Sequence, residues 1–234
     1  MAYKMIVLDL DGTLTNSKKE ITPRTYEALM EAQKKDVVVV LASGRPTYGI
    51  MPLAKQLKLA EYGGYILAYN GGKIMDCKSG DTVFNQELCP DLVPMLYDEA
   101  MAAGVQILTY QGDGIAATKA DDEYVEHEAF INKMPVVEYS DFKNQVEYPI
   151  NKCLVVGDPE PLHKLELKLA AEMEGTISVY RSAPFFLGCV PLGIEKSQSI
   201  DKLIKTIGIQ QEEEIAVGDG YYHLGMIHND GAGV

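Results

Sequence analysis

The sequence predicts an α/β fold: an open parallel sheet with a second, smaller α/β layer inserted into it. Three observations carry that expectation. Short apolar runs at residues 5–8, 37–41 and 65–69 each end in a polar or glycine turn. Helix-like stretches separate these runs, which is the alternation of a doubly wound parallel sheet. From about Asp81 the character changes, and from Phe185 the first pattern returns. Strands that run parallel and end alike place their turns on one edge, so a ligand crevice is expected at their carboxyl ends.

The elements follow in order. Residues 5–8 form a run apolar at every position and closed by Asp9, as suits a strand buried on both faces. Thr22 and Pro23 then supply an N-cap and a first-turn proline for a helix reaching about Lys35. The strand at 37–41 leads into Ser43-Gly44-Arg45-Pro46 and a further helical stretch, and the strand at 65–69 ends in Asn70-Gly71-Gly72. Beyond Asp81, helices are expected over 91–103, 122–133 and 161–174, with strands over 105–110, 152–156 and 177–180. The helix at 161–174 carries Leu162, Leu165, Leu169 and Met173 on one face. A strand from Phe185 is assigned back to the first sheet, followed by a helix at 195–207 and a strand at 214–217 that ends in Gly218-Asp219. The division drawn from this pattern is a Rossmann-like core of residues 1–80 and 184–234 with an inserted α/β domain of residues 81–183.

Composition narrows the function. The chain has 234 residues, 34 acidic and 21 basic side chains and a net charge of −13, without a basic stripe. Nucleic-acid or anionic-membrane binding needs positive charge facing phosphate, so neither is expected. The N-terminus has no apolar stretch of signal-peptide length before Asp9, and no segment approaches a transmembrane helix. Cys77, Cys89, Cys153 and Cys189 form no CxxC pair, and His127, His163, His223 and His228 offer no assigned metal site. A reduced, cytoplasmic chain is the expectation.

The chemistry concentrates at Asp9-Leu10-Asp11-Gly12-Thr13, directly after the first strand. Two carboxylates one residue apart at a strand end suit the crevice: the first can attack phosphorus and the second can serve as proton donor and base. Taken alone, Asp11-Gly12 is also a turn signal; after an N-terminal apolar strand, the DxDGT pattern favours chemistry.

With DLDGTLTNSKKEIT, ASGRP, NGG, VPLGIEKSQSIDKL and IAVGDG in that order, the chain resembles the haloacid dehalogenase superfamily of phosphohydrolases. The long insertion between NGG and VPLGIEK resembles the Cof-type subfamily, whose α/β cap lies in that position. The resemblance implies that Asp9 is the nucleophile and Asp11 the general acid/base. It implies that Ser43 and the Gly44 amide hold the phosphoryl group, and that Lys196 neutralises phosphate and nucleophile. Asp219 would bind Mg²⁺ alongside Asp9 and the Asp11 carbonyl, a hard-oxygen set that suits this ion. On residue type alone, Ser43 also suits a helix cap and Lys196 a solvated helix position. Asn70 and Arg45 line the site, or else Asn70 takes a left-handed turn and Arg45 braces the site.

The last motif departs from the family's GDGxNDxxM: Tyr222 replaces the usual Asn and His223 the usual second Asp. That acid normally supports the metal's surroundings, and a neutral imidazole brings no negative charge. Gly188 stands where a glutamate is common, and Ser197 replaces the common glycine after the lysine. The chain stops at Gly231-Ala232-Gly233-Val234, where the family continues into a further strand and a closing helix.

The resulting expectation is a Mg²⁺-dependent phosphatase of small phosphorylated metabolites, sugar phosphates foremost, working through an aspartyl-phosphate. The alternatives are a phosphomutase or phosphotransferase of the same fold, and a non-catalytic phosphometabolite-binding relative.

Overall fold

A computed structural model of the chain describes residues 3–218 and the strand Ala232–Gly233. From the N-terminus run β1 (Met5–Asp9), α1 (Pro23–Gln33), β2 (Val38–Ala42), α2 (Thr47–Gln56), α3 (Leu59–Tyr62), β3 (Tyr65–Ala68), β4 (Lys73–Asp76) and β5 (Thr82–Asn85). Next come α4 (Val93–Ala102), β6 (Gln106–Gln111), β7 (Gly114–Ala117), α5 (Glu123–Asn132), β8 (Val136–Glu138), α6 (Phe142–Gln145), β9 (Cys153–Val156), α7 (Pro159–Glu172), β10 (Ile177–Ala183) and β11 (Phe186–Pro191). The last elements are α8 (Lys196–Ile207), β12 (Glu214–Val217) and β13 (Ala232–Gly233). They form two compact units, Met1–Asn85 with Ile194–Val234, and Gln86–Gly193.

The first unit is built on a seven-stranded sheet in the order β13-β12-β1-β2-β3-β4-β5. The strands from β13 to β3 pair in parallel, and β4 and β5 add an antiparallel extension. The register aligns the strand ends: Asp9 lies opposite Ala42, Ala42 opposite Leu67, and Leu8 opposite Val217. The carboxyl ends of β1, β2, β3 and β12 therefore lie along one edge.

Each sheet face has its own apolar layer. Leu8, Leu41 and Ile66 cluster with Leu29 of α1 and with Ile50, Leu53 and Ala54 of α2. Met5, Val7, Val40, Ala42 and Leu67 cluster with Ile200, Leu203 and Ile204 of α8, spaced as one helical stripe. Each fully buried aliphatic side chain contributes about 1.5–3 kcal/mol against an exposed one. The α1 start is the expected one, with the Thr22 hydroxyl accepting from the Thr25 amide at 3.3 Å and Pro23 in the first turn.

The second unit has a six-stranded sheet in the order β10-β11-β9-β6-β7-β8. Leu96 of α4, Phe142 of α6 and Leu162, Leu165 and Leu169 of α7 pack into its main core with Ile107, Val155 and Leu187. Here the sequence division needs correction. The strand from Phe185, assigned to the first sheet, is β11 and pairs with β10 and β9 of the second. Only Pro184 and Phe185 separate β10 from β11, and so short a connection forces an antiparallel hairpin. Likewise β5 lies past the boundary drawn at residue 80, yet it pairs with β4. A buried strand reads as apolar in either sheet, so its pattern does not reveal its partner. Among the described residues no helix is long and apolar enough to cross a membrane.

Candidate active site

The aligned edge of the first unit gathers most of the residues singled out by the sequence. Asp9 ends β1 and is buried, as is Lys196, the first residue of α8. The Lys196 Nζ donates to Asp9 Oδ1 at 2.5 Å, an ion pair of which each side chain exposes less than a tenth. The solvated-helix alternative for Lys196 is thereby removed: this lysine starts the helix and turns inward.

The turn after β1 is set by Gly12, whose φ of +88° is open to glycine at little cost. It lets the Leu14 amide reach back to the Asp9 carbonyl at 3.2 Å and the Thr15 amide to the Leu10 carbonyl at 2.9 Å. Asp11 projects from this turn into a fork of cations. Arg45 donates through Nε to Oδ2 at 2.8 Å and through Nη2 to Oδ1 at 2.5 Å, and Lys19 Nζ reaches Oδ1 at 2.6 Å. Burial alone pushes the Asp11 carboxyl up, but the Arg45 guanidinium, with Lys19 beside it, outweighs burial and holds it below the ordinary value of 3.8. In this arrangement Asp11 is a carboxylate.

Ser43, Gly44 and Arg45 follow β2. Ser43 is buried, and its hydroxyl accepts from the Arg45 amide at 3.2 Å. The turn after β3 folds over this segment: the Tyr69 amide bonds the Arg45 carbonyl at 3.0 Å and the Asn70 amide the Ser43 carbonyl at 2.9 Å. Tyr69 and Asn70 both adopt left-handed backbone, with φ of 53° and 57°. Each non-glycine residue held there costs about 1–2 kcal/mol, and these two amide bonds oppose that cost. Burial pushes the Tyr69 phenol well up, and its oxygen accepts from the Thr47 amide in the first turn of α2, whose N-cap, Pro46, makes no side-chain cap bond. A Cβ on Gly44 would lie 3.0 Å from Asn70 Oδ1, so the Asn70 amide packs directly on Gly44. The turn and lining readings of Asn70 are therefore compatible, and Arg45 braces the site through Asp11.

Lys19 escaped the sequence reading. In Lys18-Lys19-Glu20 it looks like surface charge. It reaches Asp11 because the chain doubles back through bridges between Asp11 and Thr15 and between Thr15 and Ile21. The Asn16 side chain turns the backbone there, accepting from the Lys18 amide at 2.8 Å and the Glu20 amide at 3.1 Å. Asn16 was the available signal.

The oxygen donors at the β1 end fit a hard divalent cation. The Asp11 carboxylate itself is engaged by Arg45 and Lys19. Asp219, Tyr222 and His223 lie outside the described residues. Among the described residues, no three His, Cys, Asp or Glu side chains gather as a metal cluster.

Known proteins match this chain over nearly its whole length. The haloacid dehalogenase-like hydrolase family matches residues 6–234. The Bacillus subtilis protein YxeH is 29% identical over 99% of this chain and 86% of its own length. The 5-amino-6-(5-phospho-D-ribitylamino)uracil phosphatase YcsE of Bacillus subtilis is 26% identical over 99% of this chain and 82% of its own. A haloacid dehalogenase-like hydrolase from Bacteroides thetaiotaomicron, known from its crystal structure, is 48% identical with a TM-score of 0.94, covering 98% of this chain and 86% of that one.

Proposed function

The chain belongs to the haloacid dehalogenase-like hydrolases, and from that premise we propose that it is a Mg²⁺-dependent phosphatase acting through an aspartyl-phosphate on Asp9. It is a phosphoric monoester hydrolase of the Cof type, and its substrates are small phosphorylated metabolites, sugar phosphates foremost. The observation that carries this reading is the buried Asp9 carboxylate at the end of β1, neutralised by Lys196 at 2.5 Å. YcsE, whose name gives a phosphorylated ribityl compound as substrate, supports the substrate class.

An Asp9 oxygen attacks phosphorus, the bond to the leaving oxygen breaks, and water later cleaves the acyl phosphate. Lys196, Ser43 and the Gly44 amide hold the phosphoryl oxygens, with Asn70 lining the site. Asp11, as the carboxylate held by Arg45, is in the form that takes the proton from that water. To protonate the leaving group it first gains a proton, which loosening of the Arg45 fork favours. Mg²⁺, held by the Asp9 carboxylate, the Asp11 carbonyl and Asp219, would supply neutralising charge at the transferring group. The unit Gln86–Gly193 serves as the cap and selects among leaving groups.

Release of inorganic phosphate from a panel of phosphate esters with Mg²⁺ tests the reading. At least one small sugar phosphate is expected to be hydrolysed by the natural sequence and left intact by Asp9→Asn. A panel on which the two proteins behave alike overturns it.

A further inference from the structure

The helix that carries Lys196 and the turn that carries Asn70 meet at one tight contact. Ser199 is almost fully buried, and its hydroxyl donates to the Gly71 carbonyl at 3.0 Å. Gly71 has a φ of +96°, and a Cβ built on it would fall 2.3 Å from Ser199 Oγ, 2.5 Å from Ser199 Cβ and 3.3 Å from the Glu195 carbonyl. Only glycine fits against this helix. Ser199 follows Lys196 by three residues, so one side of α8 presents the lysine to Asp9 and the serine to the turn.

Among the described residues, the other anchors of α8 are the Lys202 ammonium, 4.1 Å from the centroid of the Phe84 ring, and an apolar stripe. Ile200, Leu203 and Ile204 bind it to the sheet, but burial of apolar area is non-directional and tolerates sliding along the helix axis. A hydrogen bond between a buried hydroxyl and a buried carbonyl does not. The Asn70 turn is tied in addition to the Ser43–Arg45 segment through the Tyr69 and Asn70 amides. The chain of contacts runs from Ser43 through Asn70 and Gly71 to Ser199, and one helical turn back to Lys196.

We propose that Ser199 is a positioning residue: its contact with Gly71 fixes α8 along its axis and so sets Lys196 against Asp9. The proposal rests on the reading of Asp9 and Lys196 as members of the phosphoryl-transfer site. It assigns Ser199 no contact with substrate.

Gly71→Ala, Ser199→Ala and the double variant Gly71→Ala/Ser199→Gly test it, with p-nitrophenyl phosphate as substrate and crystallography of each protein. In Gly71→Ala the new methyl pushes turn and helix apart, so the Lys196–Asp9 separation lengthens. A displacement of about 1 Å lowers kcat about 100-fold, with a much smaller change in KM. Ser199→Gly removes the two closest clashing atoms, but neither the strain of an alanine at a φ of +96° nor the loss of the hydroxyl, so the double variant recovers part of the loss in kcat and part of the separation. Ser199→Ala, which adds no bulk, keeps the fold and gives a smaller fall in kcat than Gly71→Ala. An unchanged Lys196–Asp9 separation in Gly71→Ala overturns the proposal, as does a double variant no better than the single. If Gly71→Ala does not fold, a Ser199→Ala protein with unaltered kcat and separation overturns it instead. If the natural sequence hydrolyses no ester, the phosphatase reading fails, while the crystallographic separation still decides whether Ser199 positions Lys196.

Discussion

Replacing Lys196 by Met keeps a side chain of similar length and removes the cation that faces Asp9. Both side chains are over nine-tenths buried and lie 2.5 Å apart, so little water is available to take over from the lysine. Removing one partner of such a pair costs about 3–5 kcal/mol, because the buried charge that stays behind loses its cation. With a denaturant slope of about 2 kcal/mol per molar urea, the unfolding midpoint of the first unit falls by about 2 M. The double variant Asp9→Asn/Lys196→Met removes the stranded charge as well and is expected to recover most of that loss. Urea unfolding at neutral pH without added metal, followed by circular dichroism, measures all three proteins. Unfolding of Lys196→Met within about 1 kcal/mol of the natural sequence contradicts this expectation, as does a double variant no more stable than the single.

Two other perturbations address the neighbours of this pair. Asp11 ionises in the folded chain below its ordinary value of 3.8. Its ion pair therefore stabilises fully above that value, and the contribution disappears as the pH falls through the lower, folded value. In Arg45→Gln burial gains weight, the Asp11 pKa rises, and acid destabilisation starts at a higher pH. The Asp11 side chain is 38% exposed and screened by water, so the difference at pH 7 is about 1 kcal/mol. Thermal unfolding from pH 7 to pH 3 checks this, and parallel curves for the two proteins contradict it. Tyr222→Asn with His223→Asp restores the family's amide and carboxylate, and losses of supporting groups of this kind cost about 10–100-fold in metal affinity. The Mg²⁺ dependence of hydrolysis should shift to lower concentration by a similar factor; coincident curves contradict the assignment.

Much of the site was legible because each carrier is local in sequence. Asp9 and Asp11 flank one strand end, Ser43 to Arg45 another, and Asn70 the third. An apolar run followed by a polar turn suffices to place such residues on the same edge of a parallel sheet. Lys196 was legible only as part of a resemblance, because nothing local distinguishes an inward lysine from a solvated one. Lys19 was not legible at all, since its contact with Asp11 depends on a doubling back that two isolated bridges and one Asn16 turn create. The assignment of β11 failed for a related reason. Its residues are buried throughout, and only the short Pro184-Phe185 connection reveals β10 as its partner. The coupling of Ser199 to Gly71 joins positions 128 residues apart, a separation that no periodicity spans.

In the proposed mechanism Asp9 carries the phosphoryl group between the two half-reactions. This role is tested most directly by acid-quenching Asp11→Asn protein within one turnover of p-nitrophenyl phosphate, in the presence of Mg²⁺, and mapping the phosphoryl group by mass spectrometry. Nitrophenolate needs little protonation to depart, so the first step proceeds, while loss of the Asp11 base slows the second. The expected result is a burst of nitrophenolate close to one equivalent, with the phosphoryl group on the peptide that contains Asp9. Nitrophenolate release with no phosphorylated peptide, or with the group on another residue, contradicts the account.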